Sequence, residues 1–271
     1  TTWSRGLGDV YKRQDWKTSE ATRDSNGYTM SCLKGDTSIK VNQIKVAVDG
    51  LSVVVKKGGA AESCVSGMGG LTVAQLRWIF ADMTDAELTT AGLDMASVIP
   101  NSDNDDTTQK WSELDSTCPD SQIVLAYPDE ESGTFEYSCE AILHEECNFR
   151  TGTQSADDNV LVNALTGDGG AIGYFGFAYY KANQDTLSAI GVADDESLGI
   201  TDTLATAIIP DSVTVRDGSY SPLSRFLYMN INNDDWDLVR AFMTFAWSGL
   251  GSEKINDCLL YTSPSPRDQV V

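Results

Sequence analysis

The sequence has little of the chemistry from which most catalytic sites are built. Its 271 residues include a single histidine, His144, and no G-x-S-x-G elbow, Walker loop or dinucleotide-binding glycine motif occurs. One histidine with scattered carboxylates does not make a zinc site. We therefore predict no enzyme activity, no metal and no cofactor, and we interpret His144 as a surface residue near the end of a helix.

Positive charge is scarce as well. The chain has 19 Lys and Arg residues against 40 Asp and Glu, which gives a net charge of −21. A field of this sign repels nucleic acid and anionic lipid, so neither is an expected partner. It does not exclude a local anion site, because physiological salt screens charges that lie beyond about 8 Å.

Long apolar runs are missing too. No segment approaches the roughly 18 apolar residues that a membrane-spanning helix requires. Hydrophobic residues nevertheless make up 41% of the chain, which is enough for a core, and a length of 271 residues allows two ordinary domains or one large one.

The six cysteines lack the paired C-x-x-C spacing of structural zinc sites. Their spacings include Cys64 to Cys118 and Cys139 to Cys147. We interpret them as disulfide cysteines of a protein in an oxidising compartment, and the pairing stays open. Buried free thiols are the alternative.

The two ends of the sequence resemble translated sequencing-adapter sequence. The resemblance lies in residues 7–14 (LGDVYKRQ) and 259–268 (LLYTSPSPRD). We therefore predict that residues 1–14 and 258–271 are foreign, and that the native part covers about residues 15–257 and is truncated at both ends. A signal peptide would then be missing from this fragment.

Strands and helices alternate along the native part, which predicts an α/β fold with mostly parallel sheets. Residues 44–55 are rich in β-branched side chains and indicate two strands, or one long bent strand that leaves one domain and enters another. Residues 71–80 predict a helix capped by Thr72. A glycine-rich loop is expected over 56–70 and a strand over 213–216.

The most informative stretch is Ser132-Gly133-Thr134. It lies between an apolar strand, residues 122–127, and a helix that we expect at 137–143. Backbone N–H groups at such a turn, with the helix dipole, form an anion-binding site. The alternative is an ordinary helix cap, since Ser and Thr are preferred there. Arg150 follows the helix and could bind an oxyanion with two donors, or form an ion pair with Glu145 or Glu146.

Several segments, taken in order, resemble the periplasmic phosphate-binding protein family, the substrate-binding subunits of phosphate ABC transporters. They are residues 48–55, 71–77, 111–114, 132–137, 157–162, 170–180 and 220–228. The resemblance implies a two-lobed, periplasmic-binding-protein-like (type II) α/β fold. Residues 15–54 and 221–257 would form an incomplete first lobe, and residues 55–220 the second.

The resemblance also implies a function. The lobes would close on inorganic phosphate, with Ser132, Gly133, Thr134 and Arg150 as phosphate-binding residues. A monomer would deliver the ligand to a membrane ABC permease, from the periplasm or the cell surface. A carboxylate that rejects sulfate is expected, and Glu131 and Asp49 are the candidates.

The sequence departs from the family in its first lobe. An N-terminal strand-turn-helix with ligands is absent, and a Ser-Arg pair of the family falls where Arg13-Gln14 stands. We therefore expect weak or no phosphate binding by this chain and strong binding by a full-length parent. A binder of another oxyanion or a phosphonate, a phosphate-releasing hydrolase, and a structural or adhesion protein remain alternatives.

Overall fold

The structure is a computed structural model that describes residues 22–23, 29–34, 37–105, 107–130, 132–144, 147–195, 203–221 and 223–257. The predicted foreign ends, residues 1–14 and 258–271, lie outside this described part. The chain forms two compact units. One contains the described residues up to Asp49 and from Phe226 onward, and the other is Gly50–Arg225.

The first unit is built on antiparallel strands. Strand β1 (Thr22–Arg23) pairs with β2 (Thr29–Lys34), and β2 pairs with β3 (Thr37–Lys56). Strand β10 (Ser224–Asn232) also pairs with β3. Two helices follow it, α10 (Trp236–Ala246) and α11 (Gly249–Asp257).

Strand β3 runs without interruption through the boundary between the two units. Its 20 residues confirm the interpretation of 44–55 as one long strand. The boundary falls after Asp49, at Gly50. A Cβ atom at Gly50 would lie 2.9 Å from a methyl group of Val215, so glycine is required here by close packing.

The sheet of the Gly50–Arg225 unit is mixed in direction. Its order is β8 (Leu187–Ala189), β3, β7 (Ala171–Gly176), β5 (Val124–Tyr127) and β6 (Thr153–Gln154). β5 is parallel to both β6 and β7, whereas β3 is antiparallel to β7 and β8. The prediction of mostly parallel sheets is therefore wrong, because alternation along the chain does not reveal the direction of a strand that arrives from another unit.

The same unit contains helices and a second, two-stranded sheet. A small parallel pair joins β4 (Leu71–Thr72) to β9 (Val192–Ala193), and Leu204–Thr206 is a 3₁₀ turn. The helices are α1 (Ala60–Met68), α2 (Val73–Phe80), α3 (Asp85–Thr90), α4 (Met95–Val98), α5 (Trp111–Leu114), α6 (Gly133–Ala141), α7 (Asp158–Gly167), α8 (Phe177–Asn183) and α9 (Ser212–Asp217). No described helix is long and apolar enough to cross a membrane.

The start of α2 confirms the predicted cap. The Thr72 hydroxyl accepts a hydrogen bond from the Gln75 N–H at 3.1 Å, and the Gln75 side chain accepts one from the Thr72 N–H at 3.0 Å. This reciprocal pair satisfies two N–H groups that a helix end would otherwise leave without partners.

Two local predictions are wrong. The expected loop 56–70 contains α1, whose Cys64 forms a disulfide with Cys118. The expected strand 213–216 lies in α9, because the Asp211 carboxylate accepts hydrogen bonds from the Val213 and Thr214 N–H groups and starts a helix. A second disulfide joins Cys139 to Cys147, so the disulfide interpretation is confirmed for these four cysteines.

Candidate functional site

The central turn forms the first turn of helix α6. The helix begins at Gly133, four residues earlier than we expected, and Ser132 is its N-cap in an extended conformation. The Ser132 hydroxyl accepts a hydrogen bond from the Thr134 N–H at 3.2 Å. The first N–H groups of a helix have no partner within the helix. The N–H groups of Gly133 and Phe135 therefore point out of the N-terminal end of α6.

Helix α6 is attached to the sheet behind it by a buried hydrogen-bonded pair. Ser138 donates to the carbonyl of Phe135 at 2.7 Å, and its oxygen lies 2.6 Å from the Tyr174 hydroxyl on β7. Burial raises the pKa of Tyr174 well above its ordinary value, so its proton stays in place. The helix end is thus held in a fixed direction.

Aromatic rings fill the space between α6 and α2. The ring of Phe149 lies 4.9 Å from that of Phe135 and stacks at 4.9 Å on Tyr127. Phe80, at the end of α2, contacts Tyr174 edge-on at 5.3 Å. This cluster packs the first turn of α6 against the segment that carries Arg150.

The structure places the Arg150 guanidinium at the C-terminal end of α2. Its Nε donates to the Ile79 carbonyl at 3.0 Å, and an Nη donates to the same oxygen. Its backbone N–H donates to the Phe80 carbonyl at 2.8 Å, and its own carbonyl accepts a hydrogen bond from the Tyr127 hydroxyl. Within the described part of the chain, none of these bonds joins Arg150 to Ser132, Gly133 or Thr134.

Burial lowers the pKa of Arg150 to about 10, while Asp82, Glu113 and Tyr127 act in the opposite direction. The group therefore remains a cation at neutral pH. Glu145 and Glu146, the alternative partners of Arg150, lie outside the described residues, as does Glu131. Asp49, the other candidate carboxylate, lies in β3 within the other unit.

Arg77 and His144 form a second polar contact near α6. Arg77 is 5% exposed, and its Nη1 lies 3.5 Å from the His144 Nδ1. His144 is exposed, as predicted, but it follows the end of α6 in a left-handed conformation with φ 54°. Among the described residues, no group of three or more His, Cys, Asp or Glu side chains could hold a metal ion.

One contact at the site helix had no signal in the sequence. The guanidinium carbon of Arg225, in β10, lies 4.5 Å from the centre of the Tyr137 ring in α6. The two residues are far apart along the chain, and Arg225 lies at the start of β10, which pairs with β3.

Comparison with known proteins relates the chain to one superfamily. The family described as the PBP superfamily domain matches residues 30–249. Protein SphX of Synechococcus elongatus is 31% identical over 215 residues, which are 79% of this chain and 53% of that protein. Phosphate-binding protein PstS of Staphylococcus saprophyticus is 26% identical over 210 residues, which are 78% of this chain and 53% of that protein.

A solved structure, described as a possible phosphate binding protein from Planctomyces limnophilus, matches with a TM-score of 0.62. The two sequences are 28% identical, and the match covers 83% of this chain and 68% of the Planctomyces protein chain. This chain spans about half the length of the curated relatives that it matches. Because the superfamily match covers most of the sequence, the chain belongs to the PBP superfamily.

Proposed function

We propose that the chain is the anion-binding part of a protein that captures inorganic phosphate for an ABC transporter. The observation that carries the proposal is the start of α6, where Ser132 caps the helix and Gly133 begins it. Phosphate oxygens would accept hydrogen bonds from the N–H groups of Gly133 and Phe135 and from the hydroxyl groups of Ser132 and Thr134, since the Thr134 N–H already donates to the Ser132 hydroxyl. The helix dipole adds about half a positive charge at this position.

The names of relatives support phosphate as the ligand. PstS of Staphylococcus saprophyticus is named a phosphate-binding protein, and the Planctomyces structure is described as a possible one. The net negative charge of the protein would repel an anion from a distance. Salt screens this repulsion beyond about 8 Å, so the charge does not exclude a local anion site. Arg150 supplies a half-buried positive charge, and its neighbour Phe149 contacts Phe135 in the same helix.

We propose that the two compact units correspond to the two lobes of a hinged trap. Residues 55–220 would form the second lobe, and residues 15–54 with 221–257 a partial first lobe. Closure of the lobes on phosphate would be the mechanism, with no covalent chemistry. Since the family places further ligands in the first lobe, binding by this chain should be weak.

The proposal includes a setting and a partner. Two disulfides suit an oxidising compartment, which supports a periplasmic or extracellular location. The chain would act as a monomer, without cofactor or nucleic acid, and deliver phosphate to a membrane ABC permease.

Two alternatives have less support. Another oxyanion or a phosphonate would use the same N–H groups, so competition titration distinguishes it. A phosphate-releasing hydrolase needs a general base beside its nucleophile. His144 is the single histidine of the chain, and its Nδ1 lies 3.5 Å from the Arg77 Nη1.

Calorimetric titration tests the proposal. Inorganic phosphate is titrated into this chain and into a longer parent that carries both lobes. We expect tight binding by the parent and weak binding by this chain. A parent that binds no phosphate would contradict the function, and tight binding by this chain would contradict the partial first lobe.

A further inference from the structure

The first compact unit exposes more large apolar side chains than it buries, among the residues that the structure describes. Its buried apolar side chains are those of Val41, Ala47, Val48, Ile231, Met243 and Ala246. Large apolar side chains are exposed on β10 and on the two helices that follow it. In the Gly50–Arg225 unit, by contrast, most of the large apolar side chains are buried. The first unit therefore has a small core and a large apolar surface.

Helix α10 carries part of this apolar surface. Leu238 is 82% exposed, Phe242 is 57% exposed, and Phe245 is exposed as well. Spacings of four and three residues place these three side chains on one face of the helix. Met243 and Ala246, which lie on an adjoining face, are buried. The apolar face of α10 is therefore wide, and only one side of it is covered.

Strand β10 carries the other part of the apolar surface. Phe226 and Tyr228 are two residues apart, so they lie on the same side of the sheet, and both are exposed. Ile231 lies on the opposite side of the strand and is buried. The Lys45 Nζ lies 3.1 Å from the centre of the Phe226 ring, which leaves most of this side uncovered. The sheet of the first unit is thus covered on one side at β10.

The surface belongs to the superfamily domain. The superfamily match covers residues 30–249 and so includes both β10 and α10. Nearly half of each curated relative lies outside its match with this chain. A large apolar patch is normally covered by another element or by a partner. A net charge of −21 opposes a second copy of the chain or an anionic lipid surface as the partner.

We propose that the exposed apolar surface of α10 and β10 is the packing surface for a further segment of the first lobe in the longer parent. The segment would be amphipathic, with its apolar side against Phe226, Leu238 and Phe242. Because β10 pairs with β3, which continues into the second unit, the segment would also stabilise the strand that joins the two units. The inference rests on the proposed two-lobed organisation and not on phosphate as the ligand.

Hydroxyl-radical footprinting tests this surface without any substitution. The oxidation rates of the Phe226, Leu238 and Phe242 side chains are measured by mass spectrometry in this chain and in the parent, both without phosphate. Tyr179, an exposed aromatic residue of the other unit, is the matched control. We expect oxidation of the three side chains to be severalfold slower in the parent and oxidation of Tyr179 to be unchanged. Equal rates in the two proteins at all three side chains would overturn the proposal.

A second copy of the chain is the competing occupant. Sedimentation and footprinting of this chain are therefore repeated over a range of protein concentrations. A dimer that protects Phe242 at high concentration would overturn the proposal and make this surface an interface between copies. We expect a monomer with constant oxidation rates.

Stability gives an independent measurement. Phe242→Glu should lower the Tm of the parent, where the ring would be buried, and leave the Tm of this chain unchanged. An equal effect in both proteins would contradict the proposal. Phosphate titration of the parent stays a separate test, because a parent that protects Phe242 and binds no phosphate would contradict the function and leave this surface in place.

Discussion

The hydroxyl oxygens of Ser138 and Tyr174 lie 2.6 Å apart in the interior of the Gly50–Arg225 unit. Ser138 donates its single proton to the Phe135 carbonyl, so Tyr174 supplies the proton that the two hydroxyl groups share. Both side chains are fully buried. The pair connects α6 to β7 and thereby holds the start of the helix in one direction.

This proton assignment predicts an asymmetry between two variants. Ser138→Ala removes the acceptor of a buried hydroxyl and should lower the free energy of unfolding by about 1–3 kcal/mol. Tyr174→Phe leaves Ser138 bonded to Phe135 and should cost about 1 kcal/mol. Urea unfolding measures both. A larger loss for Tyr174→Phe would contradict the assignment.

The cap of α6 can be separated from anion binding. Ser132→Asp keeps a preferred N-cap residue, so stability should change by less than about 1 kcal/mol. The added carboxylate would repel phosphate, and binding should be lost. Thr72→Asp, at the equivalent position of α2, is the matched control and should leave phosphate binding unchanged. Equal binding by Ser132→Asp and the wild type would show that phosphate does not reach this helix end.

The two disulfides should differ in their contribution to stability. Cys64–Cys118 closes a loop over a separation of 54 residues, and Cys139–Cys147 over 8. Loop entropy assigns about 4 kcal/mol to the first and about 2.5 kcal/mol to the second. Thermal unfolding of the two paired Cys→Ser variants should show this order, and the reverse order would contradict an entropic account.

Stability should fall slightly in mild acid because of His144. Partial burial and the nearby Arg77 guanidinium lower the pKa of His144 below its ordinary value of 6.5, although Asp194 opposes this. The unfolded chain therefore binds the proton more readily, so this contribution to stability is complete above pH 6.5 and declines as the pH falls below it.

His144→Asn tests this pH dependence, because asparagine tolerates a positive φ. Urea unfolding between pH 5 and 7.5 should show a flatter profile for the variant. If the free energy of unfolding depends on pH with the same slope in the wild type and in the variant, the pH dependence comes from other groups.

Local sequence was enough for elements that begin with a clear cap. Thr72, whose hydroxyl accepts a hydrogen bond from the Gln75 N–H, starts α2 as predicted. The local sequence was misleading at 213–216, where β-branched residues predicted a strand. Asp211 accepts a hydrogen bond from the Val213 N–H and starts a helix there instead. In those places the hydrogen bond at the first turn decides, rather than the propensity of the residues that follow.

The site was only partly accessible to sequence reasoning. Ser132 at a helix start follows from a local pattern, whereas the bond from Arg150 to the Ile79 carbonyl spans 71 residues and depends on how Phe149 packs. The contact between Arg225 and Tyr137 likewise joins two residues that are far apart along the chain. Contacts of this kind depend on the topology of the fold, so they cannot be predicted from the composition of the sequence or the spacing of its residues.

The most direct test of the central claim is a residue-resolved phosphate titration of the wild-type chain by ¹H–¹⁵N NMR. We predict saturable shifts of the Gly133 and Thr134 amides at the start of α6. The amides of Asp158 and Asn159, at the start of α7 behind the acidic cap Asp157, should not move. Equal shifts at both helices, or none at Gly133 and Thr134, would contradict a phosphate site at α6.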